Sequence, residues 1–409
     1  MTFAADAVRP PDLDVDALRV CFPALRSGTA FFDGPGGSQT PDVVADAMRD
    51  AMLRPLSNRG TNTESERNAE AIVHDFRRSM GQLLNADPRG VIFGRSMTAL
   101  TFDLARAISA TWRPGDEIVV SRLDHDANIR PWVIAAGRAD VTVRWADFDP
   151  DSAELPAENL AALLTERTRL VAVTAASNLI GTMPDVRTIA ADAHAAGALL
   201  YVDGVHYTAH NVVDVVDLGA DFFACSPYKF LGPHCGVVAG RPDLLDELHP
   251  DKLKPSTDQV PERFELGTLP YEIMAGVSAA VGFLAGCSGL DGDRRARLVS
   301  SMTAVARHED RLRVVLESEL RRLPGATLHS RAAYRTPTLL VTFDGHRCAD
   351  ISARLAAERI NAPAGSFYAY EAARRLGLPE GGLRIGMSPY NTIEEVDRLV
   401  STLTTCVAA

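Results

Sequence analysis

The stretch ALLYVDGVHYTAHNVVDVVDLGADFFACSPYKFLG (198–232) holds two apolar runs, ALLYVD and DFFACS, and each ends in a polar residue, Asp203 and Ser226. Neither run alternates apolar with polar, which is the pattern of strands covered on both faces. The pattern recurs outward in VIFG (91–94), EIVVS (117–121), VTVRW (141–145), RLVAVTAAS (169–177) and GVVAG (236–240). Helical stretches such as DVRTIAADAHAAG (185–197) separate most of them. Strands alternating with helices predict an α/β fold, a mostly parallel central sheet sandwiched by helices. Near 293–322 the pattern changes to a long charged helix whose charged face is expected to be solvated. TLLVTFDG (338–345), a helix near 349–359, GLRIGMS (382–388) and a helix near 393–405 follow, and predict a smaller α+β domain. The expected organisation is an N-terminal segment, 1–39, packing on the small domain, then a large domain, 40–288, and a small domain, 289–409.

At 409 residues the chain is too long for one small core. A net charge of −11 disfavours nonspecific binding to nucleic acid. The start, MTFAADAVRP, lacks a basic segment followed by an apolar run, so no signal peptide is expected. No apolar run is long enough to span a bilayer, so no membrane partner is expected. Cysteines stand at 21, 225, 235, 287, 348 and 406, none in a CxxC pair. That favours reduced thiols in a cytoplasm over disulfides or structural zinc.

Open α/β sheets bind ligands beyond the carboxyl ends of their strands. Asn178 follows VAVTAAS, Asp203 ends LLYVD with His206 just after, Lys229 follows Ser226, and His125 follows EIVVSRLD. RSMT (95–98) follows VIFG and opens a helix. Lys229 is one of only three lysines among 42 basic residues. A lysine amine, unlike a guanidinium, can lose its proton and act as a nucleophile or form a Schiff base. Pyridoxal 5'-phosphate needs such a lysine, a carboxylate beside its ring nitrogen and a phosphate cradle at a helix N-terminus. Lys229 and Asp203 meet the first two needs. Ser96, Met97, Thr98 and Ser226 can meet the third, and His125 can stack on the ring. His206 and His210 have i, i+4 spacing, which on a helix can bind a metal with Asp203 nearby, but no metal is expected.

The chain resembles the fold-type I pyridoxal-phosphate enzymes of the class V aminotransferase family, and among them the group II cysteine desulfurases and their desulfurase-like relatives. The resemblance rests on DVDALRVCFPALRSGTAFFDGPGGSQTP (14–41), LDHDANIRPW (123–132), SNLIGTMPDV (177–186), VDGVHY (202–207), CSPYKFLGP (225–233), FELGTLPYE (264–272) and LRIGMSPYNTIEEVDRL (383–399). It implies Lys229 as the Schiff-base lysine, Asp203 as the partner of the ring nitrogen, His125 as the stacking histidine and Asn178 as a contact on the ring-hydroxyl side. It implies Met97, Thr98 and Ser226 as phosphate ligands, and Arg384 as the grip on the substrate carboxylate. Thr268 matches a residue that reaches the neighbouring subunit's phosphate, so a homodimer is expected.

The chain also departs from that pattern. His206 stands where the family often has glutamine, and Tyr228 where it often has histidine, though Tyr228 can still donate to phosphate. The desulfurases carry a persulfide-forming cysteine in the segment matching INAPAGSFYAYE (360–371), and this chain has none there. The expected activity is therefore a lyase acting on an amino acid with a β- or γ-leaving group, a C–S lyase working without an enzyme persulfide. An aminotransferase or epimerase, and a non-catalytic scaffold in sulfur or cluster assembly, are the alternatives.

Overall fold

The computed structural model describes residues 12–408; residues 1–11 of the expected N-terminal segment, and Ala409, lie outside them. Seven strands form the larger sheet: β1 (Val91–Gly94), β2 (Glu117–Ser121), β3 (Thr142–Ala146), β4 (Thr168–Thr174), β5 (Leu199–Asp203), β6 (Phe222–Cys225) and β7 (Gly236–Gly240). Their order across the sheet is β1-β7-β6-β5-β4-β2-β3. The pairs from β3 to β6 are parallel, and β7 is antiparallel to both β6 and β1. All strands but β7 thus share one direction, and their carboxyl ends open on one edge.

The unbroken apolar runs are explained by cover on both faces. Val119, Val171, Val202 and Phe223 enter one core, while their chain neighbours Ile118, Leu170, Tyr201 and Phe222 enter the other. Burying each such side chain contributes about 1.5–3 kcal/mol. Helices Met97–Ser109 and Arg130–Ala139 cover the second face. Helices Glu64–Leu84, Val186–Ala195 and Tyr271–Gly286 cover the first. Glu64–Leu84 begins with a capping box: Thr63 accepts from the Glu66 amide, and the Glu66 carboxylate accepts from the Thr63 amide.

A four-stranded antiparallel sheet lies in the C-terminal part, ordered Ala364–Gly365, Gly382–Gly386, Thr338–Phe343, Ala326–Leu328. Its core takes Leu312, Leu316 and Leu320 from helix Arg294–Leu320, and Leu399 and Leu403 from helix Ile393–Ala408. Ala30–Phe31 pairs in parallel with Ile360–Asn361, and Asp33 bridges to Gly386, two residues past Arg384. Leu18, Phe22 and Leu25, earlier in the same N-terminal segment, pack instead into the core of the larger sheet.

Helix Arg294–Leu320 differs from a simple solvated rod. Glu309 and Glu317 on it are buried. Glu317 is held by Arg313, Arg321 and Arg335. Glu309 faces His210, in the loop that follows β5. Charged side chains on this helix therefore point inward as well as outward, because partners wait for them. Among the described residues no helix is long and apolar enough to cross a membrane.

Candidate active site

The carboxyl ends of β1, β2, β4, β5 and β6 surround a cavity, the place where open α/β sheets take their ligands. Ser96, Met97, Thr98, His125, Asn178, Asp203, His206, Ser226, Tyr228 and Lys229 all line it, so ten residues expected from the sequence meet there. Arg384 lies one hydrogen bond behind the lining, its Nη1 donating to the Asn178 carbonyl oxygen at 2.9 Å. Thr268 is exposed and does not line the cavity.

Lys229 is 8% exposed and Asp203 4%. Burial lowers the pKa of the Lys229 ammonium, and the Arg384 charge lowers it further, while Asp203 pulls it back up. Burial raises the Asp203 carboxyl, against the Val205 amide and the Lys229 charge. The amine is thus eased toward its neutral, nucleophilic form. Asp203 Oδ1 accepts from the Val205 amide at 2.9 Å, which fixes the carboxylate at the strand end. His125 Nδ1 accepts from the Ala127 amide at 3.0 Å, so its ring proton sits on Nε2. Burial, with Lys229 nearby, pushes His125 down to about 4, and the ring is a neutral plane.

At the other end of the cavity, helix Met97–Ser109 begins. Ser96 spends its hydroxyl on its own cap, accepting from the Ala99 amide at 3.1 Å. The remaining first-turn N–H groups are the natural donors to an anion. Gly236 on β7 allows this approach, because a Cβ there would lie 2.2 Å from the Met97 nitrogen. We expect Gly236→Ala to displace the helix start and weaken pyridoxal-phosphate affinity at least tenfold, about 1.4 kcal/mol. Titration of the apoprotein, followed by cofactor absorbance and with circular dichroism as a check on folding, measures it; wild-type affinity would contradict the assigned cradle.

Three buried polar atoms around the cavity have no partner: Asn178 Oδ1, His206 Nδ1 and Arg384 Nε. Buried polar groups are ordinarily paired, so these fit a polar occupant. His206 is 2% exposed, and its Nε2 meets Thr336 Oγ1 at 3.0 Å and Thr338 Oγ1 at 2.9 Å. Behind it, His210 Nδ1 lies 2.8 Å from Glu309 Oε2, and the two histidine rings stand 4.8 Å apart, edge to face. At 206 and 210 one ring nitrogen is thus taken by threonines or a carboxylate and the other has no partner. Among the described residues no cluster of three or more metal-ligating side chains is present.

Sequence reasoning missed several neighbours. Asn178 donates its amide to the Phe367 carbonyl oxygen at 2.9 Å. Phe367 lays its ring over the Arg384 guanidinium, 3.6 Å from Cζ to centroid. Gly36 stands beside the guanidinium, where a Cβ would lie 3.5 Å from Nη2. Asp124, fully buried behind His125, holds Ser121 and Asn128, and burial raises its carboxyl to about 8. The glycines of DGPGG were visible in the sequence, but their task next to Arg384 was not. Arg59 is engaged by Glu70 and Glu262 and takes no place in the lining.

A helix start facing the cavity, a buried lysine–aspartate pair and a buried neutral histidine, on a mostly parallel sheet, are the parts that a pyridoxal-phosphate enzyme needs. The chain belongs to the aminotransferase class-V family, whose model matches residues 30–399. It is 30% identical over 411 residues to a cysteine desulfurase of Dickeya dadantii, covering 95% of this chain and 96% of that one. It is 30% identical over 414 residues to the aminotransferase-like protein FGM3 of Gibberella zeae, covering 95% and 97%. The crystal structure of the cysteine desulfurase CsdA from Escherichia coli superposes with a TM-score of 0.86 at 27% identity, over 97% of this chain and 98% of that one. Enzymes of this family act on small amino-acid substrates with pyridoxal 5'-phosphate as cofactor.

Proposed function

We propose that the protein is a lyase that expels a leaving group, sulfur-linked by preference, from the β- or γ-carbon of an amino acid, without forming a persulfide on the enzyme. The observation that carries this reading is the state of the cysteines. The segment 360–371 offers Asn361, Ser366, Tyr368 and Tyr370 but no thiol. Cys225 and Cys235 beside the lysine loop are buried, and burial raises both thiols above their ordinary range. Burial raises Cys348 too, and its Sγ lies 3.7 Å from the Val341 carbonyl oxygen. A thiol held protonated is a poor nucleophile toward sulfur.

Pyridoxal phosphate supplies the electron sink that acidifies the α-hydrogen of the bound amino acid. Asp203 would face the ring nitrogen as a carboxylate, His125 would pack on the ring, and Met97, Thr98, Ser226 and Tyr228 would hold the phosphate. Asn178 and His206, which line the cavity, would border the ring edge. Arg384 receives the substrate carboxylate, for which its free Nε supplies a directed donor. Lys229, its amine freed when the substrate's amino group takes its place, would accept the α-proton on Nζ. The Cβ–S bond then breaks with its electron pair leaving on sulfur, a Cα=Cβ bond forms, and Lys229 returns the proton to the departing thiolate. Hydrolysis of the released enamine gives a keto acid and ammonia.

The active unit in this reading is a homodimer, because Thr268 is exposed on one chain and suits a neighbour's phosphate. Six free thiols suit a reducing cytoplasm. The test is a variant with all six cysteines replaced by alanine or serine, checked for bound cofactor and assayed on an amino-acid panel for keto acid, sulfide and ammonia. Turnover is expected within about tenfold of wild type, roughly 1.4 kcal/mol of barrier. A loss of thousands-fold with normal cofactor binding would make one thiol catalytic. A keto acid formed with the β-substituent intact would make the enzyme an aminotransferase.

A further inference from the structure

Two adjacent residues at the mouth of the site are held in a conformation that side chains rarely adopt. Phe367 and Tyr368 have φ of 52° and 58°, both in the left-handed region, and neither is glycine. Such strain persists only where the surroundings hold it. The Phe367 carbonyl oxygen accepts from Asn178 Nδ2 at 2.9 Å, and the Tyr368 carbonyl oxygen accepts from the Asp126 amide at 2.8 Å. The loop is therefore stitched to the two segments that present Asn178 and His125 to the cavity. Phe367 covers the face of the Arg384 guanidinium. The Tyr368 ring is 77% exposed and lies 5.6 Å from the His125 ring, tilted by 30°.

We propose that Phe367 and Tyr368 form the wall that selects the substrate's side chain, and that the preferred substrate is an amino acid whose leaving group carries an aromatic or broad apolar substituent. This rests on the lyase reading above and names its substrate class. Arg384 sets the place of the α-carboxylate and Lys229 that of the amino nitrogen. Lys229, Asp203, Asn178 and His206 are buried, so a long side chain cannot run inward. It leaves past the exposed ring of Tyr368. Two arginines beside that loop are already paired: Arg130 with Asp126 and Glu371, and Arg122 with Glu371 and Asp147. The exposed ring of Tyr368 offers a substituent flat aromatic surface, which rewards another ring.

The test titrates the cofactor-loaded protein with L-alanine, L-cysteine and S-phenyl-L-cysteine, reading affinity from the change in cofactor absorbance, so no turnover is required. Wild type is expected to bind S-phenyl-L-cysteine at least tenfold more tightly than L-alanine or L-cysteine. Tyr368→Ala, an exposed change, should cut that ratio about tenfold by weakening the aryl compound, with L-alanine affinity and cofactor content within threefold. Phe367→Leu, which keeps apolar bulk without the flat ring, should also lower the ratio. A ratio unchanged in both variants, an equal loss for every ligand, or a wild-type preference for the small amino acids would overturn the wall. If S-phenyl-L-cysteine binds with the expected selectivity but is never cleaved, the wall stands and the lyase reading falls. If no amino acid alters the absorbance, both fall.

Discussion

Lys229→Ala is expected to abolish covalent retention of pyridoxal phosphate and to lower turnover by at least about 10⁴-fold, roughly 5.4 kcal/mol of barrier. The lysine has no substitute in the chain. Of the other two, Lys252 donates to the Ser256 carbonyl oxygen and pairs with Asp258, and neither it nor Lys254 lines the cavity. The protein's remaining basic residues are nearly all guanidinium groups, which stay protonated and form no Schiff base. Purified wild-type protein should therefore be yellow, and borohydride should fix its cofactor to the peptide that contains residue 229. The variant should show neither property. A borohydride-reducible adduct in Lys229→Ala, or near-normal turnover, would place the chemistry elsewhere. The variant should still fold, since alanine fills the position without burying a charge.

Glu309→Ala carries the largest expected cost in stability, about 3–5 kcal/mol, the usual result of removing one partner of a buried pair. That is a large share of a typical total of 5–15 kcal/mol. Glu309 has no solvent exposure, and burial raises its carboxyl above the ordinary range. Its partner His210 is 4% exposed and stacks edge-on against His206, which lines the cofactor cavity. The pair thus joins helix Arg294–Leu320 to the loop after β5. Thermal melting of the apoprotein should reveal the loss. Glu309→Gln, which can still accept from His210, should lose less. A Glu309→Ala melt that overlays wild type would show that the pair holds nothing.

Much of this arrangement is written in local sequence. A strand buried on both faces must be a continuous apolar run, so β1, β2 and β7 are legible to the residue, and β4, β5 and β6 nearly so. The carboxyl ends of parallel strands share one edge, so the polar residues that follow each run, Asn178, Asp203, His206, Ser226 and Lys229, could be gathered into one site before any contact was known. The scarcity of lysine singles out position 229, and the absence of cysteine from 360–371 bears directly on the chemistry.

Other features depend on pairs that are distant in the chain, and no local pattern encodes them. Asn178 looks like a free amide facing the cavity, yet its Nδ2 is taken by a carbonyl 189 residues away. Helix Arg294–Leu320 reads as charged toward solvent, yet Glu309 turns inward because His210 waits 99 residues away. The left-handed turn at Phe367 and Tyr368 runs against the backbone preference of both residues, and distant anchors at Asn178 and Asp126 help to hold it. The sequence by itself determined the layers, the strand-end residues and the one lysine among them, because burial and strand period act over a few neighbouring residues. The tertiary structure decided the His210–Glu309 pair, the aromatic cover on Arg384 and the shape of the mouth, because hydrogen bonds, ion pairs and strain are settled only when distant segments meet.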